Sequence, residues 1–218
     1  MIETAFIFDM NGTMINDMHF HEEAWHKILT EKLGAKMSRE QTKEQMYGKN
    51  EELLERVFGK DKFTWDEMQA LSLEKEKIYQ ENYWPSLKLI KGLDTFFEKA
   101  YKENIPMAIG TAAIPFNVDF VLDNLKLRKY FQAIVTADDV PVSKPNPDVF
   151  LKCADLLKVP CKNCIVFEDS PKGVEAAKNA GMKAVAITTY HRADEFEKFG
   201  NVLFVIEDYL DQNLKSLF

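Results

Sequence analysis

Long apolar runs, an excess of positive charge and a paired set of cysteines are all missing from this 218-residue chain, and each absence removes a class of function. No segment approaches the roughly 18 apolar residues that a membrane-spanning helix requires, so no membrane partner is expected. Lys and Arg number 28 against 35 Asp and Glu, a net charge of −7. Without a basic patch there is no electrostatic footprint for nucleic acid or for an anionic surface. Cysteine is sparse: Cys153, Cys161 and Cys164 are odd in number and crowd together. Such usage suits reduced thiols and a cytoplasmic location rather than a disulfide framework. Cys161-Lys162-Asn163-Cys164 has the spacing of a zinc or redox pair. No second ligand pair accompanies it, however, and Cys164 opens an apolar strand, where a buried thiol is ordinary. The chain begins Met-Ile-Glu-Thr and enters a strand at once, so a secretory signal is not expected. Internal repeats and low-complexity segments are also lacking.

What is present is an ordinary globular balance, 46% apolar and 29% charged, with enough length for a sizeable core. Apolar runs at 5–8, 106–110, 132–136, 164–168, 183–188 and 202–206 read as strands; an amphipathic helix, Leu93 to Tyr101, precedes the second, and from Ile105 onward strands and helical segments alternate. That alternation predicts an α/β fold, a doubly wound and mainly parallel sheet with helices on both faces. Between residues 16 and 82 the character changes to Glu- and Lys-rich segments of helical period, with no convincing strand. His21, Trp25, Ile28 and Leu29 fall on one face; Leu53, Leu54, Val57 and Phe58 on another; Met68, Leu71, Lys75 and Ile78 on a third. The pattern predicts a helical domain over 16–85 inserted into an α/β core formed by 1–15 and 86–218, with hinges near Met14–Met18 and Tyr83–Leu87.

Four short stretches stand at the ends of predicted strands, where open α/β sheets bind their ligands. Ala5-Phe6-Ile7-Phe8 closes in Asp9-Met10-Asn11-Gly12-Thr13, and Pro106-Met107-Ala108-Ile109-Gly110 ends in Thr111. Ser143-Lys144-Pro145-Asn146-Pro147 follows the third run; Ile165-Val166-Phe167 ends in Glu168-Asp169-Ser170-Pro171 and continues to Met182 as a helix. Taken together and in order, these stretches resemble the four motifs of the haloacid dehalogenase superfamily, and most of all its β-phosphoglucomutase-like phosphatases. The resemblance runs from residue 4 to about residue 190.

The resemblance implies a phosphohydrolase that acts on a small phosphorylated metabolite through an aspartyl-phosphate at Asp9. Thr111 would hydrogen-bond the transferring phosphoryl group, and Lys144 would neutralise the nucleophile and phosphate charges. Mg²⁺ is the implied ion, because the site would be all oxygen: Asp9, the backbone carbonyl of Asn11, and Asp169, with Glu168 beside it as a further ligand or as an orienting group. Ala112 and Ala113 would offer backbone N–H groups to an anion at a helix start. His21 with Trp25 matches cap positions of the family, although an i, i+4 pair on an apolar face also reads as packing. Gly48 and Lys49, after Tyr47, read equally as a substrate-contacting cap loop or a plain helix-helix turn. The expected protein is a monomer.

One letter departs from the phosphatase pattern, since the second motif Asp is Asn11. A carboxamide can neither protonate a leaving group nor activate water, a contribution worth about 10² to 10⁴ in rate. Either Asn11 is an introduced change that arrests turnover while sparing the metal site, or it is native and the enzyme is slow or handles good leaving groups. Two alternatives follow: a phosphoglucomutase-type phosphotransferase acting on a sugar phosphate, and a catalytically impaired binding or regulatory module. The mutase pattern calls for an arginine soon after the cap-loop glycine, where this chain has Lys49-Asn50-Glu51-Glu52.

Overall fold

The computed structural model describes residues 4–218. In chain order, strand β1 (Ala5–Phe8) is followed by helices α1 (Met18–Lys27), α2 (Arg39–Gln45), α3 (Asn50–Phe58) and α4 (Trp65–Tyr83). Next come α5 (Leu93–Lys102), β2 (Met107–Gly110), α6 (Pro115–Asn124), β3 (Ala133–Val135) and α7 (Asp148–Leu157). The chain closes with β4 (Cys164–Glu168), α8 (Pro171–Asn179), β5 (Lys183–Ile187) and β6 (Val202–Ile206). Every strand expected from the apolar runs is found. The chain divides into two compact units, one of residues up to Asn16 with Lys88–Phe218 and one of Asp17–Leu87.

In the first unit six strands form a parallel sheet in the order β3-β2-β1-β4-β5-β6. The chain winds outward from β1 to β3, then returns to β4 on the other side of β1. That reversal opens a crevice past the C-terminal ends of β1 and β4. Strand β1 is buried along its whole length, as a central parallel strand covered on both faces must be. Its alternation sorts side chains by size. Ala5 and Ile7 face the cluster formed with α7 and α8, including Phe150, Cys153, Val174 and Ala177. Phe6 and Phe8 face an aromatic layer: Phe8 stacks on Phe167 of the neighbouring strand at 4.6 Å and meets Phe97 edge-on at 5.1 Å, and Phe6 lies 5.4 Å from Phe96. The rings of the second face pack with Phe96 and Phe97 of α5.

The second unit is entirely helical. Ser38 and Thr64 start α2 and α4 through reciprocal bonds with Gln41 and Glu67, which satisfy N–H groups that the first turn leaves open. After Lys27 the first helix widens into a π-helical turn, Ile28–Lys32. Trp25, Ile28, Leu29, Leu53, Leu54, Met68 and Leu71 form its apolar core, as the three predicted faces require. Val57, Phe58 and Ile78 are only partly buried against that core. Among the described residues no helix is long and apolar enough to cross a membrane.

The aromatic layer sits directly beneath the residue that follows β1, so its packing controls where that residue stands. Phe8→Ala should cost about 3–5 kcal/mol, the usual range for deleting a fully buried ring. Urea unfolding read by far-ultraviolet circular dichroism measures it, and a loss under 1 kcal/mol would show the layer to be loosely packed.

Candidate active site

The backbone delivers four loops to the crevice. Asp9 follows β1 and is fixed there by its N–H, which donates to the Phe167 carbonyl at 3.0 Å. The chain then turns sharply: the N–H groups of Thr13 and Met14 donate to the Met10 carbonyl. Gly12 sits at φ +72°, and a Cβ there would fall 2.1 Å from Asp169 Oδ2, so both conformation and space demand glycine. The Thr189 hydroxyl donates to the Gly12 carbonyl, and the buried Tyr209 hydroxyl donates to the Thr13 carbonyl at 3.1 Å. These tie the turn to the segments after β5 and β6. Asn11 lies within the turn, bridged to Ile15.

Asp9, Glu168 and Asp169 are all buried, and one carboxylate oxygen from each lies within 4.8 Å of the others. Lys144 Nζ reaches the group from the loop before α7, donating to Asp9 Oδ1 and Glu168 Oε1 at 2.7 Å each. Glu168 Oε2 accepts from the N–H and hydroxyl of Ser170 at 2.8 and 2.9 Å. Both Glu168 oxygens are therefore bonded within the protein, which makes its first task the placement of Lys144.

The electrostatics follow from this crowding. Burial pushes the Asp9 carboxyl up to about 7; Lys144 opposes the shift and the Glu168 charge adds to it. Burial alone would lower Lys144, but the carboxylates of Asp9 and Glu168 override it and hold the ammonium above the ordinary lysine range. Burial, and then the charges of Asp9 and Asp169, drive the Tyr209 hydroxyl upward, so it stays a neutral donor.

Thr111 follows β2, buried, with its N–H bonded to the Val135 carbonyl. Its hydroxyl oxygen accepts from the Ala113 N–H at 3.1 Å. The helix start expected at Ala112 and Ala113 lies further on, at Pro115, which has no N–H to offer, and the Ala113 N–H is engaged by this bond. In the Cys161/Cys164 pair burial pushes the Cys164 thiol up to about 12, and its sulfur lies 4.0 and 3.6 Å from the carbonyls of Val159 and Pro160.

His21, Gly48 and Lys49 belong to the helical unit, where a buried polar network joins their neighbourhoods. The His21 ring stacks on Tyr79 at 3.7 Å, and Lys75 Nζ donates to His21 Nδ1 at 2.6 Å and to both Glu76 oxygens at 3.0 Å. With Nδ1 accepting, the imidazole proton sits on Nε2, 3.4 Å from Asp17 Oδ2, which also accepts from the Tyr79 hydroxyl at 2.6 Å. Glu76 Oε1 accepts from Asn50 Nδ2 at 2.9 Å, linking the network to the residue after Lys49. Gly48 has φ +75° and Lys49 precedes α3, its N–H donating to Glu52, so this stretch is the turn between α2 and α3. Arg56 fastens that turn by donating to the Gln45 and Tyr47 carbonyls and lying over the Tyr47 ring. Asp17, Lys75, Glu76 and Tyr79 were not singled out as site candidates by sequence reasoning. A charged residue inside the apolar stripe Met68-Leu71-Lys75-Ile78 was the available signal.

A family model described as haloacid dehalogenase-like hydrolase matches residues 6–187, and the chain belongs to that family. It is an enzyme of that type. It is 31% identical to the fructose-1-phosphate phosphatase YqaB of Escherichia coli over 83% of this chain and 94% of that protein. It is 32% identical to the β-phosphoglucomutase of Bacillus subtilis, over 84% and 82%. Among solved structures it resembles a family IA, variant 3 hydrolase of this type from Entamoeba histolytica, with a TM-score of 0.87, 28% identity and 98% and 97% of the two chains covered.

The raised Asp9 fixes the sign of a pH effect in metal-free protein. Between about pH 4, where the unfolded carboxyl titrates, and about 7, the native state keeps a proton that the unfolded chain has lost. The Asp9 contribution to stability is therefore fully present below that window, falls across it as pH rises, and is constant above it. Urea unfolding in EDTA should show Asp9→Asn gaining stability relative to the parent from pH 4 to 7. A flat difference would place the Asp9 carboxyl near its ordinary range.

Proposed function

We propose that this chain is a Mg²⁺-dependent phosphohydrolase that takes the phosphoryl group of a small phosphorylated metabolite, of the sugar- or polyol-phosphate class, onto Asp9. The observation that carries the reading is Lys144, bonded at 2.7 Å to both Asp9 and Glu168 beside Asp169. A buried carboxylate paired with a fixed cation is a nucleophile held in one orientation, and phosphoryl transfer is chiefly a matter of positioning and charge neutralisation. The substrate class is supported by relatives named fructose-1-phosphate phosphatase and, from Thermotoga maritima at 29% identity, phosphorylated carbohydrates phosphatase.

The donor set suits Mg²⁺: buried carboxylates of Asp9 and Asp169, with a backbone carbonyl in the Asn11 turn, offer oxygen only. When bound, the ion would neutralise charge on the phosphoryl oxygens. One Asp9 oxygen attacks phosphorus as the ester oxygen departs with its electron pair. Lys144 holds the other oxygen and balances the charge. The Thr111 hydroxyl, an acceptor toward its own loop, has its proton to donate to a phosphoryl oxygen. Asn11 supplies no proton to the departing oxygen and takes none from the water that later cleaves the acyl phosphate, so both halves of the cycle run without a side-chain acid or base at that position.

A mutase must hold a second phosphate. The first arginine after Gly48 is Arg56, and its Nη2 is already bonded to two carbonyls of the α2–α3 turn. Hydrolysis is therefore the favoured reading.

Two measurements test this function. Calorimetry should show Mg²⁺ binding with Asn11 in place and at least a tenfold loss of affinity in Asp169→Ala; an unchanged affinity would exclude Asp169 as a ligand. In a phosphate-release screen over sugar phosphates, polyol phosphates, nucleotides and pyrophosphate, Asn11→Asp should raise kcat by about 10² to 10⁴, most for alkyl phosphates, whose leaving groups need a proton. Equal rates for both proteins across all donors would mean that residue 11 carries no proton.

A further inference from the structure

The placement of Lys144 depends on a relay that begins in the first turn of α8, and its members are not all charged. Ser170 precedes that helix, and its hydroxyl oxygen accepts from the Gly173 N–H at 3.0 Å while the hydroxyl donates to Glu168 Oε2 at 2.9 Å. The Ser170 N–H adds a second bond to the same oxygen at 2.8 Å. With Oε2 fixed, Oε1 is turned to Lys144. Gly173 provides the room: a Cβ on it would lie 1.8 Å from Glu168 Cδ and Oε1. Gly173 has no positive φ, so its lack of a side chain answers to space and not to backbone conformation.

We infer that Ser170 and Gly173 are positioning residues for phosphoryl transfer, acting through Glu168 to hold Lys144 against Asp9. The inference rests on the reading of Asp9 as the phosphoryl acceptor. The carboxylate of Glu168 sits over the first turn of α8, where exposed N–H groups favour negative charge. Ser170 converts that general attraction into one orientation. A bond from a hydroxyl to an ionised carboxylate is among the stronger hydrogen bonds, and an error of about 1 Å in a reacting group costs up to about 10²-fold in rate.

A purely structural role is separable because the two residues affect the helix in opposite directions. Ser170→Ala removes a cap and weakens the start of α8, whereas Gly173→Ala raises helix propensity. Both should nevertheless move Glu168 and release Lys144. The test measures the rate at which acetyl phosphate labels Asp9 in the parent, Ser170→Ala, Ser170→Thr and Gly173→Ala, with crystal structures of the same four proteins. Both alanine variants should label about ten- to a hundredfold more slowly, with Lys144 Nζ displaced from Asp9 Oδ1, and Ser170→Thr should stay within about twofold of the parent. The inference is overturned if Lys144 keeps both contacts in the alanine variants, or if only Ser170→Ala is impaired, which would track helix stability alone. A parent that accepts no label would defeat the phosphoryl-acceptor reading, while the position of Lys144 in the crystals would still decide the relay.

Discussion

The pairing of one lysine with two buried carboxylates is the constraint on which the rest of the site depends. Three charges withdrawn from water would be costly if any one lacked its partner, and removing one member of a buried pair typically costs about 3–5 kcal/mol. Lys144 Nζ satisfies Asp9 and Glu168 together. The fold serves that arrangement: β1 and β4 are neighbours in register, so Asp9 and Glu168 leave the sheet side by side. Phe6, Phe8 and Phe167 pack together in the aromatic layer on one face of these two strands. Attraction to Lys144 does not fully offset burial at Asp9, whose carboxyl remains raised to about 7. A cation bound against Asp9 would therefore compete with a proton near neutral pH.

Electrostatic placement and proton transfer are separate in this molecule. Asp9, Thr111 and Asp169 stand at strand ends with Lys144 in the loop before α7, and the turn after Asp9 is closed by bonds to the Met10 carbonyl whatever the chemistry of residue 11. Asn11 keeps the backbone of that turn and removes its acid. On the proposed reading the site is equipped to receive a phosphoryl group and has no side-chain acid at residue 11 to help it leave. The helical unit has its own buried charges: burial lowers Lys75 against the opposing pull of Glu76, and His21 accepts from that lysine. Glu76 offsets part of the cost of burying that ammonium.

Much of this was readable before any coordinates because parallel sheets announce themselves. Fully buried strands are continuous apolar runs, and Asp9, Thr111 and Glu168 each break such a run at its end. Lys144 could be assigned only through resemblance, since a lysine between prolines carries no sign of its partner 135 positions away. The details that escaped were those set by tertiary distance. Nothing in Ala112-Ala113 shows that the helix waits until Pro115. Ser170 reads as an ordinary helix cap, and its second bond to Glu168 exists only because Gly173 leaves space. Lys75 is visible in an apolar stripe, yet its partner His21 lies on a different helix, beyond the reach of periodicity.

The central claim is that Asp9 accepts a phosphoryl group. Its most direct test is to incubate the protein with Mg²⁺ and acetyl phosphate, reduce with borohydride, and locate the modified residue by mass spectrometry. The account predicts an aspartyl-phosphate at residue 9, seen as conversion of Asp9 to homoserine, and no such product in Lys144→Met. Label at another residue, or none in a protein shown by calorimetry to bind Mg²⁺, would contradict it.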